Sequence, residues 1–596
     1  MKNLKNSTVI VLIALFSITS CDDDFVYVNS QDVNSEDYFN SEEEYFNALV
    51  GAYDLLGMTY QTSLLGEIAS DNTLCGGENA TDTSGFQQVD DMIHTGNNLQ
   101  LRSIFRWMYA GLNRANFIIE FRDKTDFDGR EIIIAEAHFL RAYYYFELVK
   151  WFGPVPLVVD KRIQYGDQFS LPRTPVSEIY AQLEKDLIYA ANVLPEYQIL
   201  VGRATKGAAQ ALLGKIYLYQ NKFDEAADAL DAVITSNNYS LVENFADLFE
   251  NDTTFDFQHN PTPTTDSPTH IDFDTDTIEI EDHILLTGKP VLYQSAAPLE
   301  GLISETIYYA IAVDYNHIQL AATRQDAIDN NPIDLTSGVA SAHALYAQYE
   351  NSQESVFEVQ YSDLEGGSFG CFACVEGNIA VGFSGIRKYV GSPFGPRFES
   401  GYSFNVPTQE SYDSYNELDT RRDTSILDIE KWVADWAALG ITITYGEGYE
   451  HTGFFNRKYL PRKRDANIPD PNLTNPNNYR AIRYADVLLM SAEAHNKKSN
   501  PNPSTARYYL NQVRERAFGN SEFNVTSLSG EALNQIIFNE RRLELMGEGH
   551  RFFDLVRTGQ AKNFIPGFQE GKHELFPIPV VEIELSGNNW EQNPGY

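Results

Sequence analysis

Leu213, Gly214, Tyr217, Ala226 and Leu230 stand at the spacing of a tetratricopeptide helix pair, and they constrain the fold more tightly than any other feature. Gly214 and Ala226 are small enough to let two helices close up, while Tyr217 and Leu230 fill the groove between them. A hairpin of that kind cannot bury its apolar face alone, so neighbouring helices must cover it. Apolar residues at three- and four-residue spacing supply them over Glu42 to Leu56 (Phe46, Leu49, Val50, Tyr53), Leu101 to Phe121, Glu131 to Phe152 and Pro175 to Leu194. Gly153-Pro154 closes the third of these, and Thr174 is expected to cap the fourth with Pro175 at its first position. A second hairpin is expected from Tyr484 to Ala494 and on through Thr505 to Ala517, so the solenoid is split in sequence.

Between the halves the texture changes. Residues 237–477 are rich in Pro, Gly, Asp, Asn and Thr with scattered aromatics. They read as a loop-rich insertion carrying short helices, such as Ala340 to Tyr349, and strand-like pieces, such as Ser355 to Tyr361. The expected fold is mainly α, with tetratricopeptide-like hairpins over residues 41–236 and 478–596 forming a scaffold for that insertion. Long structured loops on a rigid scaffold are where binding chemistry concentrates.

Residues 1–20 read as an export leader. Lys2 and Lys5 precede the apolar run Val9 to Phe16, and Ile18-Thr19-Ser20-Cys21 offers the small residues a signal peptidase accepts. The run is too short for the ~20 apolar residues that span a bilayer. The arrangement resembles a bacterial lipobox, in which Cys21 becomes the acylated first residue and residues 21–40 a membrane tether. Asp22, Asp23 and Asp24 resemble the acidic signal that sends some Gram-negative lipoproteins to the outer face of the outer membrane. The formal charge of −40 becomes −42 without the leader, whose only charges are two lysines. Nucleic acid is excluded, because a phosphate backbone needs a basic face and only Arg457 to Arg464 is locally basic.

Catalysis and metals find little support. No phosphate loop or His-Glu-x-x-His is present. Glu540, Arg541, Arg542, Glu544, Glu548 and Arg551 stand at one-turn spacing, which suits salt-bridged helix packing better than a carboxylate pair flanking a cleft. Asp272-x-Asp274-x-Asp276 is followed by Thr277 and His283 where an EF-hand needs Gly and Glu, which leaves only a loosely held cation such as calcium. Cys371 and Cys374 lack the two further ligands zinc requires, and read as a local loop or a small disulfide clip. No cofactor is expected.

Several long motifs carry a resemblance. Glu136-Ala-His-Phe-Leu-Arg-Ala-Tyr-Tyr-Tyr-Phe-Glu-Leu-Val-Lys-Trp-Phe-Gly-Pro-Val-Pro-Leu157 and Arg203-Ala-Thr-Lys-Gly-Ala-Ala-Gln-Ala-Leu-Leu213 come first. Pro407-Thr-Gln-Glu410, Asp419-x-Arg421 and Arg483-Tyr-Ala-Asp-Val-Leu-Leu-Met-Ser-Ala-Glu-Ala494 follow. Glu540 to Leu545, Glu548 to Arg557 and Gln592-Asn-Pro-Gly-Tyr596 complete the set. Together with the lipobox they make the chain similar to the SusD/RagB family of outer-membrane nutrient-binding lipoproteins. That resemblance implies a non-enzymatic helical protein capping a SusC-like TonB-dependent transporter and presenting a surface for oligosaccharide. Members related to RagB handle peptides instead, so a peptide-binding importer of the same architecture stays open, as does a helical-repeat assembly scaffold.

Sugars offer apolar C–H faces and a rim of hydroxyls, so rings and hydrogen-bonding side chains are the candidates. Asp71-Asn72 opens a polar loop that contains Phe86, and the resemblance implies ligand contact there; a helix cap is the alternative for Asp71. Within the insertion Tyr293, Phe369, Phe372, Tyr389 and Tyr402 are rings among Gly, Ser and Pro. Arg387 stands beside Tyr389 in Gly385-Ile-Arg-Lys-Tyr389, placed to fork onto hydroxyls or a uronate, or to pair with one of the many acids.

Overall fold

The computed structural model describes residues 38–596 apart from 199, 250–251, 265–267, 281–282, 284, 286, 305, 315, 349, 363–375, 393–397, 463–469 and 471–472. Cys21, Phe369, Cys371, Phe372 and Cys374 therefore lie outside the described residues. Helices follow the apolar periodicity: α1 (Glu42–Asp54), α2 (Thr59–Ile68), α3 (Leu99–Glu120), α4 (Arg130–Phe152), α5 (Val176–Val193), α6 (Lys206–Tyr219) and α7 (Phe223–Thr235). Gly153 ends α4, as its sequence predicts. Pro175, not Thr174, is the N-cap of α5; Thr174 instead bridges to Val155, and its Oγ1 accepts from the Leu157 N–H at 3.3 Å.

Each helix from α3 to α7 packs on the next. A Cβ on Gly214 would lie 2.5 Å from Leu230 Cγ, so only glycine lets α6 and α7 meet at that point. After the insertion, which contributes the short helix α8 (Ile429–Ala438), come α9 (Tyr484–Lys497), α10 (Pro503–Phe518), α11 (Gly530–Glu544) and α12 (Arg551–Arg557). Helix α9 lies against α6 and α7 as well as α10 and α11. Ser491 and His495 on α9 bond to Asp231 on α7 at 2.9 and 2.8 Å. The solenoid that is split in sequence is thus continuous in space.

A short strand, β1 (Thr73–Leu74), follows α2. The insertion is more regular than its composition suggests. Strands β2 (Asp252–His259), β3 (Ile271–Asp272), β4 (Thr277–Glu279), β5 (Pro290–Ser295), β6 (Thr306–Ala312), β7 (His317–Ala321) and β8 (Ser341–Gln348) form one antiparallel sheet in the order β2-β8-β5-β6-β7-β4-β3. Phe257, Ile278, Val291, Tyr293, Leu320 and Leu345 fill its own core. The helix expected over 340–349 is strand β8: His343 and Leu345 are buried while Ala342, Ala344 and Tyr346 are not, a period of two that its alanines disguise. The aspartate at 272 serves its own turn, accepting the Asp274 N–H at 2.9 Å, and that at 276 ties in a distant segment, accepting the Leu335 N–H at 2.8 Å.

Strand β9 (Ser355–Val359) forms where a strand-like piece is expected, and pairs with β13 (Tyr479–Arg483) to tie the insertion to α9. Three more short strands, β10 (Val406–Pro407), β11 (Ile426–Asp428) and β12 (Phe454–Asn456), lie between them. Under this junction sits a buried ionic web. Arg483 reaches Glu354 at 2.7 Å and both Glu544 and Glu548 at 2.8 Å; Arg421 reaches Glu544 at 2.9 Å; Lys458 reaches Glu548 at 2.7 Å. Burial alone would raise the Glu548 carboxyl, but Arg483 and Lys458 outweigh it and bring it down to about 2. Every one of these groups is buried, so the ion pairs that the acid and arginine motif makes here serve packing between elements.

Candidate functional site

Four loops converge at one edge of the insertion. Strand β1 pairs with β10 and aims the chain after residue 74 at the insertion. Gly77 N–H donates to the Ser403 carbonyl at 2.9 Å, Tyr449 N–H to the Gly77 carbonyl at 2.9 Å, and Gly446 N–H to the Arg387 carbonyl at 2.8 Å. A Cβ on Gly448 would stand 2.7 Å from both Gly77 O and Ser403 Oγ, so this close approach of loops needs glycine. Cys75 N–H donates to Asp90 Oδ2 at 2.8 Å and Gln87 Nε2 to the Gly76 carbonyl at 2.6 Å, which fastens the 75–83 loop from beneath.

The exposed side of this junction is aromatic. Strand β11 pairs with β12 and leads into α8, where Asp428 accepts from the Lys431 N–H at 3.0 Å and Ile429 is buried as an anchor. Trp432 and Trp436, one turn apart, share a face of α8 and are half-buried, with ring centroids 6.4 Å apart. Trp432 leans on Tyr389 (6.2 Å) and Phe398 (5.9 Å). Tyr445 and His451 (5.8 Å apart) continue the surface, and the buried Nε2 of His451 has no hydrogen-bond partner among the described residues. Arg387 borders it, 3.5 Å from Glu78 and donating to the Tyr402 carbonyl at 3.5 Å. Around Arg387 the rim is acidic: Glu78, Glu447 and Glu450 are exposed, and Asp82 and Glu399 partly so. Rings backed by other rings, with polar groups at their border, form a platform for a ligand that has both an apolar face and hydroxyls.

The sequence-derived candidates divide. Arg387, Tyr389 and Tyr402 belong to this junction, although Tyr389 is only 7 % exposed and works from behind Trp432; burial pushes its phenol up to about 12. Asp71, Asn72, Phe86 and Tyr293 are buried and engaged by other parts of the fold. Asp71 is locked between Arg551 (2.8 Å to each carboxylate oxygen) and Arg542 (3.2 Å), and burial, which alone would raise its carboxyl, is outweighed by those arginines. Asn72 donates to Glu67 at 2.9 Å and accepts from Arg542 at 2.8 Å. Phe86 packs edge-on to Phe383 and Phe404, each 5.5 Å away, in the core under the loop. Tyr293 is buried within the sheet, its hydroxyl 2.8 Å from His343 Nδ1. Trp432, Trp436 and Tyr445 were not singled out by sequence; the signal was there in Trp-x-x-x-Trp on a ten-residue amphipathic stretch followed by a glycine-rich loop.

A model described as the SusD family matches residues 337–596, and one described as starch-binding and associating with the outer membrane matches residues 24–218. The chain belongs to the SusD family. A curated relative, SusD-like protein P2 of Formosa agariphila, is 23% identical with all of both chains covered. Among solved structures, a laminarin-binding SusD-like protein is 27% identical at a TM-score of 0.69, covering 94% of this chain and 100% of its own. Surface glycan-binding protein A from Bacteroides thetaiotaomicron has the same fold at 22% identity and a TM-score of 0.68, covering 94% and 100%. Like these relatives, the SusD-family chain is a binding protein and not an enzyme. The residues between the two family matches, 219–336, hold α7 and strands β2 to β7.

Proposed function

We propose that this protein is a cell-surface lipoprotein, anchored to the outer membrane through acylated Cys21, that captures a neutral oligosaccharide on the Trp432/Trp436 platform and delivers it to a SusC-like TonB-dependent transporter. The observation that carries the reading is the pair of half-exposed indoles on α8, backed by Tyr389 and Phe398 and bordered by Arg387. Indole faces cover the C–H side of a sugar ring, and each neutral hydrogen bond to a hydroxyl nets only about 1 kcal/mol, so affinity comes from several rings in register. The acidic rim and the overall charge of −40 repel uronates and sulfates, which favours an uncharged glycan. The laminarin-binding name of the relative at 27% identity supports the same ligand class.

Native gels cast with laminarin, starch, alginate or no polysaccharide test the capture step. A neutral polysaccharide is expected to retard the protein, and the Trp432→Ala/Trp436→Ala double variant is expected to run as in the empty gel. Unchanged migration in every gel, with heat released on mixing with peptides, would move the protein to the peptide importers. Co-purification of a large outer-membrane barrel with the tagged protein tests delivery.

A further inference from the structure

A second concave surface lies far from α8 in the chain. It is a pocket of about 370 Å³ between α3 and the C-terminal segment, toward the small end of the ~300–1,000 Å³ that ligand pockets occupy. Its walls are aromatic and already fixed. The Tyr109 hydroxyl donates to the Pro156 carbonyl at 2.8 Å, and Trp590 Nε1 to the Leu171 carbonyl at 2.8 Å. Phe105 lies between them, 4.8 Å from Tyr109 and 6.4 Å from Trp590. Trp107 forms a half-buried wall, with the exposed Arg106 guanidinium 5.8 Å from its ring.

The polar groups of the pocket are arranged with capacity to spare. Asn113 Oδ1 accepts from the Ile163 N–H at 2.6 Å and Gln168 Oε1 from the Gly166 N–H at 2.7 Å, which fixes both amides by their oxygens. Among the described residues, Asn113 Nδ2, Gln168 Nε2, Trp107 Nε1 and the Arg106 guanidinium donate no hydrogen bond to protein. Glu582, held by Arg102 at 3.2 Å, adds acceptors on the same lining. Rings flanked by fixed, unused amide and indole N–H donors suit a ligand with C–H faces and many oxygen acceptors. One arginine and one carboxylate leave the lining without a strong sign of charge, so it does not select an anion.

We infer that this pocket is a second carbohydrate site, separate from the α8 platform and taking a short neutral oligosaccharide with a ring against Trp107. The ligand class rests on the proposed glycan capture; the geometry does not. No lining residue of this pocket belongs to the α8 platform, so the two sites fail independently.

Calorimetric titration of the purified protein with laminarihexaose, cellohexaose and maltohexaose tests it, in the wild type, Trp107→Ala, Trp107→Phe and Trp432→Ala/Trp436→Ala. At least one hexaose is expected to bind at two equivalents. Trp107→Ala should remove one of them, Trp107→Phe should restore it, and the α8 double variant should keep it. Arg106→Ala, an exposed rim change, is expected to weaken the same equivalent severalfold and serves if Trp107→Ala fails to fold. A single equivalent that survives Trp107→Ala and disappears in the α8 double variant would overturn the second site while leaving the capture reading intact. Binding of no hexaose by the wild type would overturn both. Unchanged sugar titrations in Trp107→Ala with loss of a co-purifying membrane barrel would show a protein-docking face instead.

Discussion

Asp71 and Arg551 meet through two parallel hydrogen bonds of 2.8 Å across 480 residues of chain. Both side chains are almost wholly buried, and Arg551 also lies 4.8 Å from the Phe538 ring. The pair clamps the foot of the 75–83 loop to α12, so the edge of the binding platform hangs from the C-terminal helices.

Asp71→Ala leaves Arg551 buried with no carboxylate opposite it, and breaking such a pair from one side costs about 3–5 kcal/mol. Urea denaturation is expected to show that loss. Because the partner's charge is the source of the cost, Asp71→Ala/Arg551→Met should be less destabilised than the sum of the single changes; additive effects would contradict the clamp.

Trp432 and Trp436 should separate affinity from stability. Among the rings Trp436 pairs with Trp432 alone, though it also lies against the buried cluster that includes Ile429 and Ile443, so Trp436→Ala is expected to weaken glycan binding roughly tenfold, ~1.4 kcal/mol, with a smaller fall in Tm than Trp432→Ala. Trp432 also supports Tyr389 and Phe398, and its loss should lower both affinity and stability, the latter by about 2–3 kcal/mol. Calorimetry alongside thermal melts checks both.

The Asp90 carboxyl gives the loop a pH signature. Burial pushes it up to about 7 despite the Cys75 N–H bond, with Asp91 and Glu450 nearby adding to the rise. A carboxyl raised in the folded state contributes stability that is fully present below its ordinary value near 4 and lost as pH climbs through 7. Asp90→Asn keeps an acceptor for Cys75 without the charge, so its Tm advantage over wild type should grow between pH 4 and 8; a difference independent of pH would contradict the assignment.

Gly448→Ala places a methyl group 2.7 Å from Gly77 O and Ser403 Oγ, and the loops must part to admit it. A loss of about 1–3 kcal/mol in stability is expected, with weaker glycan binding, whereas Gly440→Ala, which meets nothing within 4 Å but has a φ of +77°, should affect stability alone.

The helical scaffold was legible because its signals are local. Gly214 and Leu230 show their contact in their spacing, and the α9–α10 hairpin shows its register in its apolar stripe. The acid and arginine motif from Glu540 to Arg551 also announces ionic packing, since charges at one-turn spacing have to be paired once a helix is buried. The sheet was not legible: strands of two to eight residues carry too few alternations, and β8 hides its period of two among alanines. Asp71 and Asn72 look like polar loop residues because their partners, Arg551 and Arg542, lie more than 450 residues away. Phe86 and Tyr293 look free for the same reason, since the rings and the histidine that bury them come from other elements. The tryptophans of α8 show the reverse case, a readable i, i+4 pair overlooked beside more numerous tyrosines.

A crystal structure of the protein soaked with the neutral oligosaccharide that binds it most tightly tests the central claim most directly. The account predicts sugar rings lying flat within about 4 Å of the Trp432 and Trp436 indoles, with hydroxyls reaching Arg387. Ordered sugar elsewhere, with both indoles bare at saturating ligand, would contradict it.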